Sequence, residues 1–103
     1  MVKVDIKDKK SYEEWLTHAL PVVMLFSSKD CATCHAVEKV VGQKLFTKDF
    51  IFGKVDVLGK DDLVYEAGVT TLPTTILYQN GSETSRRTGS NILRLLEMLE
   101  GNI

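Results

Sequence analysis

The feature that most restricts how this chain can fold is a junction. The run Val22-Val23-Met24-Leu25-Phe26 is apolar at every position, and Cys31-Ala32-Thr33-Cys34 follows it and opens a segment with helical periodicity from Ala36 to Leu45. A run that is apolar on both faces belongs to a strand covered on both sides. Cys31 and Cys34 are the chain's two cysteines. A thiol at a helix N-terminus meets unpaired backbone N–H groups and the positive end of the helix dipole. Both favour the thiolate, the nucleophile of disulfide exchange. With His35, however, the same residues also spell the Cys-x-x-Cys-His attachment signature of c-type haem, so the rest of the chain must discriminate.

The remaining pattern alternates strands and helices. Residues 2–6 alternate as a short strand. Ser11 and Glu14 have the spacing of a capping box, with Tyr12, Trp15, Leu16 and Ala19 on one helical face until Pro21 stops the helix. The helix after the cysteines carries Val37, Val40, Val41 and Leu45 on one stripe. Ile51 to Val57 reads as a second internal strand, and Asp61-Asp62 as the cap of a short helix ended by Gly68. Thr74 to Tyr78, the Asn80-Gly81 turn and Glu83 to Thr88 form a hairpin. Ser90 is read as the cap of a last helix with Ile92, Leu95, Leu96 and Leu99 on one face. The order β-α-β-α-β-α-β-β-α predicts an α/β fold whose mixed central sheet has helices on both faces. It predicts one domain over residues 1–103.

Bulk properties narrow the function. With 103 residues, 44 % of them apolar, the chain can build a core without disulfide staples. A net charge of -1, with both signs mixed, suggests no nucleic-acid partner. No apolar run is long enough to span a bilayer. The alternating N-terminus lacks the apolar stretch of a signal peptide, so the expectation is a cytoplasmic monomer that binds no membrane. Close thiols in the cytosol are more often catalytic or metal-binding than structural.

Taken together, these motifs resemble the thioredoxin family over nearly the whole length. The resemblance rests on the strand–Cys31-x-x-Cys34–helix unit, Lys54-Val55-Asp56 in the next strand, and Leu72-Pro73-Thr74 after a short helix. The Asn80-Gly81 hairpin and Gly89 before the last helix complete it. It implies a thioredoxin-like fold with Pro73 in cis beside the cysteines; an X-Pro bond is the kind that adopts cis cheaply. It also implies a thiol–disulfide oxidoreductase without a cofactor. Cys31 is then the nucleophile and Cys34 the resolving thiol. Leu72, Pro73 and Thr74 form the substrate groove, with the backbone of Leu72 pairing to an extended substrate segment. The implied partners are disulfide-containing proteins or small molecules, and a reductase or dithiol donor.

The departures from the family pattern are specific. Asp30 stands where the family has a tryptophan, Ala32-Thr33 where thioredoxins have Gly-Pro, Leu25 in place of a buried acid, and Lys39 in place of a helix-kinking proline. They point to a divergent oxidoreductase rather than a housekeeping thioredoxin served by thioredoxin reductase. They also keep a second class open: a non-catalytic interaction or redox-sensing module on the same fold. His35, four residues after Cys31, either tunes the Cys31 pKa or is a plain polar residue of the first turn. Lys54 either tunes the pair or is solvated. Haem is disfavoured because it is attached outside the cytosol, although Met24 or Met98 has the chemistry of a distal ligand. A metal is not expected, since structural zinc wants four ligands and His18 belongs to another helix. Trp15 and Phe26 read as core, and Arg86-Arg87 as a solvated hairpin face.

Overall fold

The computed structural model describes every residue except Leu45 and Thr47. Five strands and four helices follow the expected order. They are β1 (Val2–Asp5), α1 (Lys9–Leu16), β2 (Val22–Ser27), α2 (Ala32–Gln43), β3 (Ile51–Asp56), α3 (Asp61–Glu66), β4 (Thr74–Gln79), β5 (Ser82–Thr88) and α4 (Ile92–Glu100). The sheet order is β1-β3-β2-β4-β5. β3 runs parallel to both β1 and β2, whereas β4 is antiparallel to β2 and β5 antiparallel to β4. The α/β architecture expected from the sequence, a mixed central sheet with helices on both faces, is therefore the one observed.

β2, apolar from Val22 to Phe26, is buried at every position, with sheet neighbours on both edges. Its side chains alternate between two cores. Val22, Met24 and Phe26 join Tyr12 of α1 and Leu63 of α3 on one face. Val23 and Leu25 join Val37 and Val41 of α2 and Leu95, Met98 and Leu99 of α4 on the other. Phe26 is core as expected, while Trp15 is partly buried against the first core. The Asn80-Gly81 turn has φ of 55° and 81°, the left-handed pair that a tight hairpin requires.

Helix boundaries depart from the sequence reading in a consistent way. The capping box of α1 lies one turn earlier than expected. The Asp8 carboxylate accepts from the Ser11 N–H at 2.8 Å and the Ser11 hydroxyl contacts the Asp8 N–H at 3.3 Å, so Ser11 closes the box instead of opening it. α1 ends at Leu16, which leaves Ala19 outside the helix and exposed. α2 begins at Ala32, four residues before Ala36, and its described part ends at Gln43; the Leu45 end of the predicted stripe lies outside the described residues. Asp61 and Asp62 are not caps. Both occupy the first turn of α3 after Lys60, where their charge faces the positive end of the helix dipole. The cap of α4 is Asn91, accepting from the Arg94 N–H at 3.1 Å, and not Ser90. No helix among the described residues is long and apolar enough to cross a membrane.

Candidate functional site

β2 delivers the site. It ends at Ser27, whose carbonyl accepts from the Val57 N–H at 3.0 Å and so holds the β3–α3 connection alongside. The chain then turns through Ser28, Lys29 and Asp30, and Cys31 becomes the N-cap residue of α2. The cysteines are joined as a disulfide with Cα atoms 5.2 Å apart. Cys31 is half-buried, whereas Cys34 is 1 % exposed. This asymmetry comes from the helix itself, since Cys34 lies one turn in and faces the sheet.

The Cys31 sulfur takes the place a serine oxygen occupies at an ordinary cap. The Cys34 backbone N–H donates to Sγ of Cys31 at 3.1 Å, and the Thr33 hydroxyl donates to it at 3.4 Å. Donors and a helix N-terminus aimed at one sulfur favour negative charge there once the disulfide opens. His35 projects the other way along the turn. Its Nε2 donates to the Lys29 carbonyl at 2.7 Å, which ties the approach loop to the first turn of α2.

Register brings the Leu72–Thr74 segment to the same place. Phe26 pairs with Thr74 across β2 and β4, so Pro73 lies beside Ser27, at the start of the cysteine loop. The Leu72–Pro73 bond is cis, as the resemblance implied. Pro73 and Thr74 are buried, the Pro73 carbonyl accepts from Gly89 N–H at 2.8 Å, and the Thr74 hydroxyl donates to the Thr71 carbonyl at 2.8 Å. Leu72 is half-buried, and among the described residues its backbone N–H and C=O make no backbone hydrogen bond.

Lys54 is not simply solvated. Its ammonium meets Glu38 of α2 at 3.1 Å, and Glu38 also takes Lys3 of β1 at 2.5 Å. Burial works against the Glu38 charge, but the hydrogen bonds and fields of the two lysines outweigh it and hold the carboxyl below the ordinary glutamate range. Leu25, the cross-strand partner of Lys54, is fully buried among apolar side chains, so no ionisable group sits at that position beneath the pair. Sequence reasoning missed Glu38. Its one signal was the four-residue spacing from Cys34, which places both on one side of α2.

The other candidates separate in space. Met24 and Met98 lie in opposite cores. His18 is exposed, stacks on Trp15, and accepts from the Leu20 N–H at 3.1 Å through Nδ1. Among the described residues no three His, Cys, Asp or Glu side chains come together as a metal site. Arg86 is a correction to the solvated-face reading. It grips both Glu83 oxygens at 2.7 Å and donates to the Ala67 and Gly68 carbonyls at 2.8 and 3.2 Å, closing the end of α3.

Known proteins place this geometry in context. Thioredoxin-1 of Schizosaccharomyces pombe is 30 % identical over 104 residues, covering 100 % of both chains. Thioredoxin Asp f 28 of Aspergillus fumigatus is 32 % identical over 102 residues, covering 95 % of this chain and 93 % of its own. The fold superposes on the thioredoxin of Malassezia sympodialis with a TM-score of 0.84 at 20 % identity, covering 98 % of this chain and 90 % of that one. The family model described as Thioredoxin matches residues 3–100, and the chain belongs to the thioredoxin family.

Proposed function

We propose that the thiol–disulfide oxidoreductase activity of this protein runs through Cys31 as attacking thiolate and Cys34 as resolving thiol. The reduced Cys31 attacks a substrate disulfide, forms a mixed disulfide and expels one thiolate. Cys34 then attacks Cys31, closes the Cys31–Cys34 disulfide and releases the second thiolate, so two electrons pass to the substrate. The observation that carries this assignment is the asymmetry of the pair. Cys31 is the half-buried sulfur that receives the Cys34 N–H, and Cys34 lies 1 % exposed behind it.

In this reading Leu72, Pro73 and Thr74 shape the substrate groove. Among the described residues the Leu72 N–H and C=O make no backbone hydrogen bond, which supports this reading because such groups suit an extended substrate strand. His35 acts by holding the approach loop through the Lys29 carbonyl. The protein works as a monomer in the cytoplasm, on disulfide-containing proteins or small molecules, and is returned to its dithiol form by a reductase or dithiol donor. Light scattering on the reduced and oxidised forms checks the monomer.

Trapping tests the roles. Cys34→Ser should accumulate a mixed disulfide with substrate, and Cys31→Ser should form none. The reverse pattern would exchange the two roles, and equal trapping by both would remove the assignment. An equilibrium titration in dithiol and glutathione buffers, read by alkylation, should then show one two-electron couple in the range of about -180 to -270 mV.

A further inference from the structure

A cavity of about 420 Å³ opens at the carboxyl ends of β1 and β3, against the loop that carries the cysteines. It is lined by Lys7, Lys29, Lys54 and Lys60 together with Asp5 and Asp56. Its size falls within the range of small-ligand sites, and its position at strand carboxyl ends is where open α/β sheets hold ligands. The connections leaving the neighbouring strands β2 and β3 diverge here, because α2 and α3 lie on opposite faces of the sheet, and Lys29 and Lys60 come from those two connections.

The charges of this cavity do not cancel internally. Lys54 is matched by Glu38, outside the cavity lining. Lys60 donates to the Asp56 backbone carbonyl at 2.8 Å, and the Asp56 carboxylate is engaged with the Leu58 N–H at 3.1 Å. Among the described residues Lys7, Lys29 and Lys60 have no ion-pair partner within 4.0 Å. Three ammonium groups thus stand against two carboxylates in a concave site, a surplus whose field is focused on an entering anion. Lys29 is two residues before Cys31, and its carbonyl is bound to His35 on the first turn of α2. The lysine cavity is therefore flanked by the same loop that leads into Cys31.

We propose that this cavity takes the anionic portion, carboxylate or phosphate, of a low-molecular-weight disulfide substrate whose sulfurs are presented to Cys31. The proposal rests on the oxidoreductase reading above and names its substrate class. The electron balance is unchanged. The reduced protein gives two electrons to the bound disulfide, which leaves as two thiols while Cys31 and Cys34 close, and a dithiol donor restores the protein.

The test uses the reduced full chain in single turnover with four disulfides. Glutathione disulfide carries carboxylates, coenzyme A disulfide carries phosphates, 2-hydroxyethyl disulfide is neutral and cystamine is cationic. Each rate is divided by the rate of the same disulfide with free dithiothreitol, which removes intrinsic reactivity. The expected result is about a tenfold preference for an anionic disulfide over the neutral one at low salt, with cystamine slowest, and loss of most of this preference at about 0.5 M salt. Which anionic arm leads separates carboxylate from phosphate. Lys29→Glu with Lys60→Glu should abolish or invert the anionic-to-neutral ratio. Lys48→Glu changes the same type of charge at the opposite end of β3 and should leave that ratio in place. A ratio near one in the wild type, or a ratio lowered equally by Lys48→Glu, would overturn the cavity assignment while leaving the oxidoreductase reading intact. Failure to reduce any of the four would overturn both.

Discussion

Glu38 and Lys54 join α2 to β3 across one face of the sheet, carboxylate to ammonium at 3.1 Å, with Lys3 completing the cluster from β1. The helix that carries the cysteines is thereby fastened to two parallel strands by charge as well as by the packing of Val37 and Val41.

Glu38→Gln should change the acid limb of stability. The folded-state pKa of Glu38 lies below the ordinary 4.5. The cluster's contribution is therefore present in full above about that value and is lost as pH falls through the lower folded value. Urea unfolding at pH 7 should show a loss of about 1 kcal/mol in the variant, and the gap should shrink when the measurement is repeated at a pH below 4.5. A gap of constant size at both pH values would assign the loss to packing instead.

Leu25→Asp should accelerate release of the mixed disulfide. Leu25 is fully buried, and its cross-strand partner is Lys54, so an aspartate there would put a proton acceptor beneath the pair with a cation in register beside it. General-base assistance allows a gain of up to about a hundredfold. Burying the carboxylate should cost several kcal/mol, on the order of 3. Stopped-flow trapping at neutral pH reads the rate, and an unchanged rate would exclude a deprotonation limit on Cys34.

The Tyr12 and Tyr78 hydroxyls meet at 2.5 Å inside the first core. Burial pushes both phenols above their ordinary value, so neither should ionise in the folded protein as pH passes 10. Tyr12→Phe or Tyr78→Phe alone strands the remaining hydroxyl and should cost about 1–3 kcal/mol. The double variant should cost less than the two losses added, since no orphan is left. Chemical unfolding of the four proteins checks this, and strict additivity would show that the hydroxyls do not depend on each other.

Arg86→Lys should loosen α3 without disturbing the hairpin. A lysine cannot hold both Glu83 oxygens and the Ala67 and Gly68 carbonyls together. With Arg86 part-exposed, about 1 kcal/mol is expected. Hydrogen exchange should speed at the Ala67 and Gly68 amides, which close the end of α3 on the Leu63 and Tyr65 carbonyls. Equal protection in both proteins would reduce Arg86 to a surface ion pair.

Much of this molecule was legible one residue at a time. The β2 run, the 3.6-residue stripes, the Asn80-Gly81 turn and the four-residue Cys31–Cys34 unit express interactions between near neighbours, so element order and the redox junction could be read directly. Cap identity was less legible because Asp8 and Ser11, or Ser90 and Asn91, are both competent acceptors, and the entering backbone decides between them. The contacts that complete the site were not legible. Pro73 beside the cysteine loop depends on the β2–β4 register, Glu38 on Lys54 depends on α2 crossing β3, and the lysine cavity gathers side chains from four separate stretches. Local sequence determined which elements form and where the thiols sit between them. Strand order and helix placement decided which distant charges and backbone groups surround those thiols, because such pairings are made only when the sheet closes its long-range contacts.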